Sequence, residues 1–198
     1  TDLTGETAEC YNFIADCYMS LQQMEQAKEM FERALRIDPD NLSTKFCLCE
    51  LALQQKNPKE AQKWCDQLLA KDPNNSEHHR LQAAILYLSG QYEEAKEYML
   101  RALEIDPNNK YALYTLATEC FEIQEYVEAL TYLRRVEDID VNTENLTLLF
   151  AMTHYALGDK KLALSYIAKT ENWHETKQAI FLEFFPDVKD DPDMQDFF

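Results

Sequence analysis

The sequence predicts an all-α fold, a solenoid of antiparallel helix pairs, and two observations carry that expectation. Ala27, Ala61, Ala95, Ala129 and Ala163 recur every 34 residues without slippage. A second column, Ala15, Cys49, Ala83, Ala117 and Ala151, keeps the same step and is always small. A fixed period of this length means one supersecondary unit copied in tandem. Two helices that cross closely need small side chains at the crossing, where a larger residue would overpack.

The elements follow in order from this register. The first unit, 8–41, opens at the N-cap Thr7, runs as a helix to a break near Gln22, and continues as a second helix to Asp38-Pro39. The second, 42–75, opens at Asn41, breaks near Lys56 and stops at Asp72-Pro73. The third, 76–109, opens at Asn75, breaks at Gly90 and stops at Asp106-Pro107. The fourth, 110–143, opens at Asn109, breaks near Gln124 and reaches Asp140, where Val141 replaces the proline. The fifth, 144–174, opens at Thr143, breaks at Gly158 and lacks the closing Asp-Pro signal. Proline ends the second helices because it cannot donate to the helical ladder and restricts the residue before it. Phe31, Cys65, Met99, Leu133 and Ile167 supply an apolar column throughout.

These columns resemble the tetratricopeptide repeat signature, W-x2-L-G-x2-Y…A-x3-F…P. The first unit carries it as Tyr11, Ile14, Ala15, Tyr18, Ala27, Phe31, Ala34 and Pro39. The third carries it as His79, Gln82, Ala83, Leu86, Ala95, Met99, Ala102 and Pro107. The fourth reads Leu113, Leu116, Ala117, Cys120, Ala129, Leu133 and Val136. The second and fifth units are more divergent. The resemblance covers residues 8 to about 174 and implies a right-handed superhelix whose first helices line a concave surface.

Composition narrows the function. Nineteen basic residues face thirty-six acidic ones, a net charge of −17. Nucleic acid and anionic membrane surfaces are therefore excluded as partners, since both need a basic face, while a basic protein or peptide would be steered in. The longest apolar runs fall far short of the roughly 18 residues a membrane span needs. The six cysteines form no C-x-x-C and several sit in packing columns, so they are expected as free thiols, with no metal or other cofactor. That favours a reducing, cytoplasmic location. Two of the three glycines, Gly90 and Gly158, are spent in turns, leaving no phosphate-cradling loop. There is no H-E-x-x-H or G-x-S-x-G, and His154 falls in the column of Tyr18, Ala52, Leu86 and Cys120, a structural place. The chain is expected not to be an enzyme.

The expected function is a protein-interaction module that holds a peptide or partner helix in the concave groove. Stepping three, seven and ten residues along each first helix selects one face. The candidate groove residues are Phe46, Glu50, Leu53, Tyr87, Tyr111, Tyr114, Phe121, Leu148, Met152 and Tyr155. The N-terminal part is polar and acidic, with Glu9, Asn12 and Asp16. The C-terminal part is aromatic, and its fourth and fifth units are the expected apolar anchor, led by Tyr114 and Phe121. Chaperone-binding members of the family clamp a C-terminal carboxylate with Lys and Asn. The matching positions here are Asn12, Asp16, Glu50, Glu77 and Leu81, so chaperone tails are not expected to bind. Two other readings compete: a regulatory or substrate-docking segment of a larger enzyme, and a self-assembling scaffold that forms a homo-oligomer through its C-terminal helix.

That helix is expected over 175–185, stopped by Pro186 and rich in Ile180, Phe181, Leu182, Phe184 and Phe185. Residues 186–198 read as an acidic tail or as the start of a further helix capped by Asp191-Pro192, or as a segment docked on something.

Overall fold

The computed structural model describes residues 7–142, 145–170 and 173–197. Among them there is no strand. Ten helices form five pairs: α1 (Ala8–Ser20) with α2 (Met24–Ile37), α3 (Leu42–Gln54) with α4 (Pro58–Lys71), α5 (Ser76–Leu88) with α6 (Tyr92–Ile105), α7 (Lys110–Glu122) with α8 (Tyr126–Ile139), and α9 (Leu146–Ala156) with α10 (Lys160–Lys169). A π-helical turn, Trp173–Lys177, leads into α11 (Gln178–Phe184), and 3-10 turns follow at Pro186–Asp190 and Gln195–Phe197. The chain forms two compact units, residues 1–107 with α1–α6 and residues 108–198 with α7–α11.

Each turn within a pair uses one device. Gln22, Lys56, Gly90, Gln124 and Gly158 all take the left-handed conformation, with φ of 58°, 53°, 78°, 66° and 80°. The next residue's N–H then bonds back to the helix, as Asn57 N to Ala52 O at 2.8 Å and Gln91 N to Leu86 O at 2.9 Å. This is a Schellman closure, which satisfies carbonyls the helix end leaves open. Left-handed backbone is strained for residues with a Cβ. A Cβ built on Gly90 would meet nothing within 4 Å, so only backbone strain opposes a side chain there. Gly90→Ala is expected to destabilise the first unit by about 1 kcal/mol, and Lys56→Gly to stabilise it by up to about 1 kcal/mol. Chemical-denaturation midpoints of the two variants should move in opposite directions.

The turns between pairs explain the aspartate column. Asp38 Oδ1 accepts from Asp40 N at 3.3 Å and Asp38 Oδ2 from Asn41 Nδ2 at 3.1 Å. Asn41 Oδ1, so oriented, accepts from Thr44 N at 3.0 Å and caps α3. Asp72 holds Asn74 and Asn75 in the same way. Aspartate and asparagine thus act as one clamp that satisfies an orphan N–H of the helix start. Asn109 caps α7 through Ala112 N. In the last pair Thr143 lies outside the described residues; α9 begins at Leu146, after Asn145 at φ 59° with no side-chain cap bond.

Both small columns are buried. Cys49 shows why: its Sγ donates to the Ala61 carbonyl at 3.4 Å, so the thiol touches the neighbouring backbone directly. The core of the first unit builds outward from these crossings. Phe31 packs with Ala15, Ala27, Leu48 and Leu51, and Leu68 with Cys65, Leu81 and Ile85. All six cysteines are free thiols.

The last helix pair carries an aromatic stack. Phe150 lies parallel to Tyr166 with centroids 4.6 Å apart, and His154 stacks on Tyr166 at 5.6 Å. Burial lowers the His154 pKa, and nearby Arg134 adds to this while Asp159 opposes it. A lowered folded pKa means the unfolded chain takes up the proton first as pH falls. Stability contributed by neutral His154 is therefore complete above the ordinary value of 6.5 and declines as pH falls from there through the lowered folded value. His154→Phe keeps the stack and is expected to flatten the dependence of unfolding free energy on pH between about 7 and 5, measured by urea titration against the parent chain.

Candidate functional site

In the first unit the first helices α1, α3 and α5 are joined edge to edge by polar contacts. Thr44 Oγ1 donates to Asn12 Oδ1 at 2.9 Å, linking α3 to α1. Arg80 links α5 to α3: its Nη2 donates to Glu50 Oε1 at 2.9 Å and its Nε to Glu77 Oε2 at 2.7 Å. The Arg80 side chain is only 15% exposed and its guanidinium lies 5.9 Å from the Phe46 ring centroid. Burial works against its charge, and the Glu77 and Glu50 carboxylates outweigh that, so its pKa is raised.

This corrects the electrostatic expectation. Glu50 and Glu77 are not two open acids; both are spent on Arg80. Leu81 faces the core and is fully buried, because it lies one residue further round the helix than Arg80. Asp16 stays exposed, and its charge together with that of Glu50 adds to burial in raising the Cys47 thiol to about 11.

Around the Arg80 cluster, Phe46 and Leu53 are half-buried against the core of the second repeat. Tyr87 remains 45% exposed and packs edge-on to Tyr92 with centroids 5.0 Å apart. The first unit therefore presents Phe46, Glu50, Leu53 and Tyr87 on one side of its first helices.

The second unit differs. Tyr111 is 59% exposed and Tyr114 half-buried, as expected of surface positions on α7. Phe121, Leu148 and Met152 are all buried and Tyr155 is half-buried, so the expected apolar anchor is not open. At Phe121 and Tyr155 the covering group is the chain's own C-terminal segment. Phe184 meets Phe121 at 5.3 Å, and Phe185 meets Phe121 at 6.4 Å and Tyr155 at 5.0 Å. Of the apolar residues of this helix, Phe181 is fully buried, Ile180, Leu182 and Phe185 are half-buried, and Phe184 is 46% exposed.

The acidic stretch after Pro186 is docked as well. Val188 and Met194 are fully buried. Asp191 Oδ1 accepts from Asp193 N at 3.1 Å, and the same carboxylate accepts from Lys160 Nζ at 2.8 Å and from the Tyr155 hydroxyl at 3.2 Å. Lys160 holds the Asp191 carboxyl below its ordinary range, and burial followed by the Asp191 contact raises the Tyr155 phenol. Sequence reasoning singled out Asp191 but missed its pairing with Lys160, because nothing in the repeat pattern pairs those two positions.

Among the described residues, one group brings three possible metal-ligand atoms within 4.8 Å of one another: Cys120, Glu125 and Glu128. The thiol is fully buried in a packing column and the carboxylates are exposed at the start of α8. No helix among these residues is long and apolar enough to cross a membrane.

Comparison with known proteins agrees with this architecture. A family model described as tetratricopeptide repeat matches residues 18–85, and one described as anaphase-promoting complex, cyclosome, subunit 3 matches residues 54–136. No curated protein matches the sequence. Among solved structures, TTC0263, a thermophilic TPR protein in Thermus thermophilus, is similar with a TM-score of 0.72 at 15% identity, covering 91% of this chain and 100% of its own. A tetratricopeptide repeat protein from Parabacteroides merdae has a TM-score of 0.71 at 19% identity, covering 90% and 70%. YrrB, described as a TPR protein with an unusual peptide-binding site, has a TM-score of 0.53 at 19% identity, covering 91% and 87%. With their small columns buried at each crossing and their turns repeating in register, these helix pairs have the tetratricopeptide repeat fold, and the tetratricopeptide repeat model matches the chain over residues 18–85.

Proposed function

We propose that this chain is a protein-interaction module whose first unit holds a peptide segment on the face of α3 and α5. Proteins of this fold family are in general non-catalytic scaffolds that bind protein or peptide partners. The observation that carries the reading is Phe46 beside the Arg80–Glu50–Glu77 cluster, with the partly open Leu53 and Tyr87 further along the same helices α3 and α5. Partly exposed aromatic and aliphatic side chains beside a satisfied polar cluster resemble the make-up of an interface. The net charge of −17 and the exposed Glu9 and Asp16 on α1 favour a ligand with apolar anchors flanked by basic residues. A carboxylate-ended chaperone tail does not suit it, since the cation at this face is already held by two carboxylates.

The test is a paired capture with the parent chain and the Phe46→Ala, Tyr87→Ala double variant, followed by calorimetry on each purified binder. Loss of at least tenfold in affinity, with the circular dichroism of the variant unchanged, supports the reading. Binders held equally by both chains would refute it. Raising the salt concentration is expected to weaken a basic ligand's binding.

A further inference from the structure

Met19, Leu53, Tyr87, Phe121 and Tyr155 form one column of the repeat, the last position of the selected face in each first helix. Leu53 and Tyr87 lie partly open on the first unit, whereas Phe121 and Tyr155 of the second unit already carry an occupant. That occupant has a definite chemistry. Phe181, Phe184 and Phe185 stand at helical spacing on and just after α11, so they project from one side of a short helix. Phe184 and Phe185 sit edge-on to Phe121, while Phe181 and Phe185 contact Tyr155 at 5.5 Å and 5.0 Å. Beyond the turn at Pro186, Asp191 reaches Lys160 at 2.8 Å, and Asp193 reaches the same ammonium at 3.2 Å. The end of the segment is held by Trp173 Nε1, which donates to the Phe197 carbonyl at 3.0 Å.

We propose that the Phe121–Tyr155–Lys160 face is a ligand site for a short helix bearing an aromatic cluster followed by a carboxylate, and that residues 178–193 fill it as an internal ligand. An external partner of this chemistry binds by displacing the segment. Three features fit displacement. An isolated helix of seven residues has no stability of its own, so α11 is ordered by the face it lies on. Phe184 is still 46% exposed, which leaves a competitor a place to begin. The Lys160–Asp193 pair is largely solvated, and a contact of that kind is weak and easily exchanged. The site differs from the first-unit face in chemistry as well as place: it takes an acidic aromatic helix, whereas the other suits a basic segment.

The experiment uses the full chain and a fluorescently labelled synthetic peptide of its own residues Thr176–Phe197. Full-length Phe184→Ala, Phe185→Ala is expected to bind the peptide at least tenfold more tightly than the parent chain, whose face is filled. Adding Tyr155→Ala to that variant should abolish the gain. A folded double variant that ignores the peptide would overturn the proposal. So would loss of the second unit's helicity in the double variant, since the segment would then be an inseparable part of the core. Lys160→Glu provides a milder, fold-preserving route: it should raise acrylamide quenching of Trp173, and a compensating Asp191→Lys should reverse the rise. Quenching unchanged by Lys160→Glu, or a peptide-independent dimer in light scattering, would also overturn it. Phe46→Ala, Tyr87→Ala leaves all these readouts unchanged, so this site and the first-unit face fail or stand separately.

Discussion

Phe181→Ala is expected to destabilise the second unit by about 3–5 kcal/mol, the usual cost of emptying a fully buried phenylalanine site. Phe181 is wholly buried, with Tyr155 at 5.5 Å, Trp173 at 5.8 Å and Phe185 at 5.2 Å around it. Removing its ring opens a cavity that three aromatic side chains, themselves engaged elsewhere, can close only in part. The check is urea unfolding followed by fluorescence. Trp64 lies in the first unit and Trp173 in the second, so Trp64→Phe leaves a single reporter beside the mutated site. The Trp173 transition should shift strongly. With Trp173→Phe instead, the Trp64 transition should move much less, because Tyr155, Trp173 and Phe185 all belong to the second unit. Equal shifts at both reporters would show that the effect is not local.

Phe31→Ala is expected to cost a similar amount, about 3–5 kcal/mol, in the first unit. Phe31 is fully buried where α2 meets α1 and α3, against Ala15, Ala27, Leu48 and Leu51. Its neighbours are small or already close-packed, so little can move into the space. Phe31→Leu keeps most of the volume and should cost less than about 1.5 kcal/mol. Here the Trp64 transition is the one that should move, since Trp64 packs partly against the same cluster. A loss below about 1 kcal/mol for the alanine variant would mean that this column contributes less than its burial implies.

These two phenylalanines mark how far the sequence can be read. Phe31 is legible because it stands in a column with Cys65, Met99, Leu133 and Ile167, and a column at fixed period must face the same neighbour in every unit. The same logic locates the five turns, although it does not show that Gln22, Lys56 and Gln124 adopt the backbone that Gly90 and Gly158 adopt freely. Phe181 falls in the column of Tyr11, Lys45, His79, Leu113 and Thr147, which is not uniformly apolar, so its own apolar character is visible and its destination is not. Phe121, Leu148 and Met152 share the face that helical spacing assigns them, yet that face is covered. Helical spacing says where a side chain points and is silent about what the rest of the chain lays over it. The Arg80 cluster shows the same limit for charge: the acids can be counted in the sequence, but whether they are open depends on a cation from the next repeat.

The sequence by itself determined the repeat, the helix pairs, the small residues at each crossing and the face on which each side chain lies. All of these follow from contacts between residues a fixed distance apart in the chain, which periodicity reports directly. Only the tertiary structure decided which faces remain open. That outcome turns on contacts without a period, Glu50 with Arg80, Phe121 with Phe184 and Lys160 with Asp191. Such contacts are chosen by burial and charge pairing once the scaffold stands, and they leave no spacing in the sequence to be read.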